Sequence, residues 1–139
     1  MTYATQQNMI DRFGQEELTQ LTDRTRSGGI DAAVVDRALA DADAVINGYV
    51  SAKYTLPLSP VPAGLERIAC DIARYGLYDD RATEQVKQRY DAAITFLKDV
   101  AKGTATLGPD AANQAPSITG GPQHSAPERI FTHDTLEDF

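Results

Sequence analysis

Few residues in this sequence have the types and spacing that chemistry needs. A general base must be held within hydrogen-bond reach of its partner, yet both histidines, His124 and His133, fall in a C-terminal tail expected to be flexible. His133 beside Asp134 reads as a solvated dipeptide rather than a catalytic dyad. Cys70 sits beside an apolar helical stripe, so a small buried or half-buried thiol is expected there instead of a nucleophile. Asp41 and Asp43 resemble a carboxylate pair, but two steps along a helix turn about 200° and send the side chains apart. Asp36 and Asp43 do share a face, with Arg37 close by. A solvated charged face is the expectation, because a hard cation needs several converging oxygens. Asp79-Asp80 suits a turn. Gly28-Gly29 is not followed by Lys-Ser/Thr, so it is no phosphate cradle. Arg24 and Arg26 stand among acids, and no helix rich in Arg, Lys, Asn and Gln stands out as a reader of DNA. The expectation is a protein without a catalytic, cofactor or metal site, and not an enzyme.

The apolar end of an acidic arm is the more unusual feature. Residues 103–127 hold Gly103, Gly108, Pro109, Pro116, Gly120, Gly121, Pro122 and Pro127, a composition that cannot bury enough apolar surface to fold alone. Beyond them come Arg129, Ile130, Phe131, Leu136 and Phe139, an apolar cluster of the kind that marks a contact surface. These five residues are the expected partner-binding site. The division is then a helical domain over 1–102 and an arm over 103–139. Net charge follows the same boundary. Residues 1–102 carry 12 Lys+Arg and 15 Asp+Glu, whereas the arm carries only Arg129 against Asp110, Glu128, Asp134, Glu137 and Asp138.

The chain of 139 residues has a net charge of −7 and a single cysteine. Its length suits one domain. The charge argues against a tight sequence-independent grip on DNA, which needs Lys and Arg to neutralise phosphates. One cysteine excludes an intrachain disulfide framework. No apolar run approaches the length that spans a bilayer, and the first residues lack the basic and apolar regions of a signal peptide, so a soluble, non-secreted protein is expected.

The elements that position these residues are helical. Thr5 is placed to cap a first helix whose Met9, Ile10 and Phe13 share a face, and Gly14 to end it. A second short helix follows over Glu16–Leu21, completing an N-terminal hairpin. Arg26 to Gly29 reads as a loop. The clearest helix is capped by Asp31, with Ile30 and Val35 at the ends of a hydrophobic staple. Its stripe runs through Leu39, Ala42, Ile46 and Val50, with Asp36, Arg37, Asp43 and Asn47 on the polar side. The run Leu56 to Pro62 must end it, and its three prolines predict an extended, polyproline-like path. A third main helix starts near Pro62, with Leu65, Ile68, Ala69, Ile72 and Tyr75 as its stripe. A fourth begins near Thr83, carries Val86, Tyr90, Ala93, Ile94, Leu97 and Val100, and stops at Gly103. The fold class is all-α: a small bundle of four main helices, with the short N-terminal hairpin among them, plus the extended arm.

An ordered set of residues resembles a known family. It begins with Tyr3-Ala4-Thr5, Phe13-Gly14, Glu17-Leu18, Leu21-Thr22-Asp23 and Ile30-Asp31. It continues through Ala38 to Ala42, Ile46, Tyr49 and Tyr54 to Leu58, then Asp71 to Tyr75, Leu77-Tyr78, Arg89-Tyr90, Phe96-Leu97 and Gly103. It ends with Arg129 to Thr132 and Thr135-Leu136. The chain resembles the Mu-like phage and prophage head–tail connector family, long catalogued as a domain of unknown function. The resemblance implies a virion protein, a head-completion subunit of a homo-oligomeric ring of about twelve copies by analogy with the portal's symmetry. Its implied partners are the portal protein on one side and a tail or next neck protein on the other, with DNA passing nearby unbound and no membrane. Lys53 before Tyr54 and His133 after Thr132 stand where arginine and a basic residue are expected, and Asp138 where glycine is common. The alternative is a helical DNA-packaging or DNA-binding accessory protein; a third, a small enzyme, lacks its constellation.

Overall fold

The computed structural model describes residues 2–108. They form five α-helices: α1 (Gln6–Phe13), α2 (Gln15–Thr22), α3 (Ala32–Val50), α4 (Ala63–Tyr78) and α5 (Glu84–Lys102), with a 3-10 turn, Asp79–Arg81, between the last two. The fold is all-α, a small helical bundle. Three long helices make up most of it, and the α1–α2 hairpin takes the fourth place.

Each boundary has a local cause. Thr5 and Asn8 form a reciprocal capping box: the Asn8 N–H donates to Thr5 Oγ1 at 3.3 Å, and the Thr5 N–H donates to Asn8 Oδ1 at 2.7 Å. Gly14, at φ 90°, ends α1 and starts α2 with no residue between; a side chain is strained at that φ. Asp31 Oδ1 accepts from the N–H groups of Ala33 and Val34. Thr22, fully buried, donates its hydroxyl to the Leu18 carbonyl and accepts the Asp31 N–H, tying the end of the hairpin to the start of α3. Thr83 caps α5, and Gly103 ends it in the left-handed region at φ 84°.

The core is one cluster in which Met9 and Leu18 of the hairpin meet Leu39 and Ile46 of α3, Leu65 and Ile72 of α4, and Leu97 and Val100 of α5. Burial on this scale stabilises by roughly 1.5–3 kcal/mol for each large side chain, before ordering entropy is subtracted. Beyond Gly103 the chain still lies against the bundle: Ala105 and Leu107 pack on the core, and the Leu107 N–H donates to the Tyr54 hydroxyl at 3.3 Å.

Two expectations are corrected. The Leu56 to Pro62 run is not polyproline-like: the Leu56–Pro57 and Ser59–Pro60 bonds are cis, and Leu58 is turned inward and buried. A polyproline helix leaves its backbone solvated on all sides, and the apolar gain from burying Leu58 and Tyr54 overrides that preference. Asp43 is likewise not on a solvated face. It is 8% exposed, and it accepts the Tyr3 N–H at 3.0 Å while the Tyr3 hydroxyl donates to Asn47 Oδ1. The N-terminal strand of chain ahead of α1 is thus anchored on the supposed polar side of α3, with the Tyr3 ring buried.

Burial raises the Asp43 pKa above the usual carboxylate value, outweighing the Tyr3 N–H bond that lowers it. The folded state therefore holds this proton more tightly than the unfolded chain, and stability falls as pH rises from the unfolded to the folded pKa. Asp43→Asn keeps the acceptor and removes the charge, so its stability relative to wild type should rise with pH through that window. Asp43→Ala strands the Tyr3 N–H and should cost about 1–3 kcal/mol. Urea unfolding of the three proteins at pH 4 and pH 7 checks both signs.

Candidate functional site

The arm residues Arg129, Ile130, Phe131, Leu136 and Phe139, with His124 and His133, lie outside the described residues. Among the described residues, no three of His, Cys, Asp and Glu converge as metal ligands, and no helix is long and apolar enough to cross a membrane. Cys70 is fully buried, in keeping with a packing thiol.

The polar residues that do come together lie along one side of α4. Glu17 of α2 receives three donors on one oxygen: Arg74 Nε at 3.1 Å, Arg74 Nη2 at 2.7 Å and the Tyr78 hydroxyl. The Arg74 guanidinium also lies over the Phe13 ring, 4.3 Å from its centroid, a favourable cation–π placement. Arg12 of α1 reaches Glu66 at 2.9 Å. Both ties fasten the hairpin to α4.

Past them, a cleft of about 410 Å³ opens between α1, α4 and α5, lined by Arg12, Phe13, Arg67, Asp71, Arg89 and Ala92. Asp71 forms its floor and is 8% exposed. Arg67 Nε is 4.0 Å from Asp71 Oδ2, and Arg89, Arg12 and Arg74 also surround that carboxyl. Burial raises the Asp71 pKa even so, and the arginines, Arg89 foremost, pull it back. The cleft continues along α4 and α5 into an apolar stretch of about 240 Å³ lined by Gly64, Ile68, Ala93 and Phe96. Arginine forks flanking an apolar trough are suited to holding carboxylates or phosphates beside an apolar group.

Where α3 meets α4 and α5, Tyr75 and Tyr90 stack with ring centroids 4.0 Å apart. With Val34, Ala38, Val45 and Leu77 they line a second groove of about 280 Å³.

Sequence reasoning missed the arginine-lined cleft. The Arg67/Asp71 pair is legible at an i,i+4 spacing, but Arg12 and Arg89 reach the cleft only through packing of α1 and α5, which no local pattern encodes.

Burial pushes the Cys70 thiol up to about 11, against the pull of Arg12. The thiolate is the reactive form, so the folded protein should resist a disulfide-exchange reagent at pH 8 and label promptly in urea. Prompt labelling of the folded chain would show that α4 opens locally.

Against this geometry stand the known proteins that the chain is similar to. The family described as Bacteriophage Mu, Gp36 matches over residues 3–126. The Mu-like prophage FluMu protein gp36 of Haemophilus influenzae is 35% identical over 137 residues, covering 99% of this chain and 97% of that protein. Gene product J of Escherichia phage Mu is 38% identical over 109 residues, covering 78% of this chain and 77% of that one. The matched span takes in all five helices, and the chain belongs to the Bacteriophage Mu Gp36 family.

Proposed function

We propose that this protein is a structural subunit of a tailed-phage particle, a head–tail connector that completes the head, and not an enzyme. The observation that carries the reading is the near-full-length match to a Mu-like prophage protein and to a Mu gene product, joined to the ordered resemblance to connectors. The architecture is consistent with it. The buried Asp43 is tied to Tyr3 and the half-buried Glu17 to Arg74, and grooves lie on two sides of α4.

In this reading, copies dock side by side into a ring between the portal and a tail or neck protein. A ring needs two different complementary faces on each subunit, the heterologous arrangement. Genome transit past the ring is favoured by the net charge of −7, because an acidic wall repels phosphates over a screening length of about 10 Å at 0.1 M salt.

A phage lacking this gene should accumulate DNA-filled heads beside separate tails, with joining restored when the wild-type gene is supplied in trans. Empty unpackaged heads would instead favour the DNA-packaging accessory role, as would tight duplex binding near physiological salt that falls steeply as salt rises. The purified protein should show little retention of duplex DNA.

A further inference from the structure

We infer that the α4–α5 groove is the receptor for the acidic, apolar end of the arm of a second copy of this chain. The groove pairs two chemistries in line. One half carries Arg12, Arg67 and Arg89 over Asp71; the other is the apolar trough at Ile68, Ala93 and Phe96. The arm carries the complement in the same short span: Ile130, Phe131, Leu136 and Phe139 interleaved with Glu128, Asp134, Glu137 and Asp138. The groove between α3 and α4 holds two arginines, Arg24 and Arg37, with Asp41, against three arginines in this one. Of these three, Arg89 makes no ion pair within 4.0 Å among the described residues and is the one the test reverses.

Chain length puts the groove of a neighbouring copy within reach. The path is set down against Tyr54 by the Leu107 N–H, and residues 109–129 then separate the described chain from Ile130. At about 3.3 Å per residue they span up to about 70 Å, more than twice the roughly 28 Å length of a helix such as α3. Arg67 and Arg89 are both exposed, so their guanidinium groups are available to carboxylates, and clasps of this kind repeated around an assembly add through multivalency.

The inference rests on the connector reading only for the presence of neighbouring copies. The test uses full-length protein carrying benzoylphenylalanine in place of Phe131, prepared in a heavy-isotope and a light form, mixed, assembled and irradiated. Cross-links should map to Ile68, Ala92 or Phe96 and join heavy to light chains in statistical proportion. Arg89→Glu, at an exposed position, should lower their yield several-fold, while Arg37→Glu leaves it unchanged. Same-isotope pairs only would show that the arm folds onto its own bundle and overturn the inference. Cross-links to the Val45–Tyr75 side, or a yield indifferent to Arg89→Glu, would overturn it as well. The connector reading fails separately: these cross-links in a protein absent from the particle neck would sink that reading and leave this one standing.

Discussion

The fold depends on the burial of α4 on every side. Ile68, Ala69, Cys70, Asp71, Ile72 and Ala73 are six consecutive buried residues, and a helix turns through all directions in fewer than six. Such a helix is stable only with neighbours all round. α3 and α5 supply two of them, and the hairpin supplies the third. The small side chains Ala69, Cys70 and Ala73 let these partners approach closely. The hairpin cannot stand by itself, since helices of eight residues are far too short to persist in water. It is held by Met9 and Leu18 in the core and by the Arg74–Glu17 and Arg12–Glu66 ties at its edge. The same encirclement puts a carboxyl, Asp71, inside the bundle and draws arginines from α1, α4 and α5 toward it.

That division explains what the sequence could reveal. Thr5, Asp31, Thr83 and Gly103 act on backbone groups within four residues of themselves, so their roles were legible from local spacing alone. The apolar stripes were legible because they obey the helical period. Asp43 misled by its residue type: four residues after Leu39 and three before Ile46, it lies beside the apolar stripe, and its buried partner, the Tyr3 N–H, is distant in sequence. The proline run misled for a related reason: its local preference is extended, and the core's claim on Leu58 wins. Arg12 and Arg89 carry no local mark of the cleft they share. The arm, by contrast, was conspicuous in composition and charge while lying outside the described structure.

In this member of the Gp36 family a bundle tied by internal ion pairs is followed in sequence by an acidic stretch rich in Gly and Pro. Internal ion pairs fasten the hairpin to α4, and grooves lie beside that helix on the side of α1 and on the side of α3. The proposed connector role uses those features directly: a rigid body sets the spacing between copies, and weak repeated contacts link them. Reconstruction of the particle neck by electron cryomicroscopy is the most direct measurement of this account. It should show the bundle repeated as a closed ring on the portal, each copy touching its two neighbours through different faces. Absence of the protein from the head–tail vertex, or its presence only as isolated two-fold dimers, would contradict it.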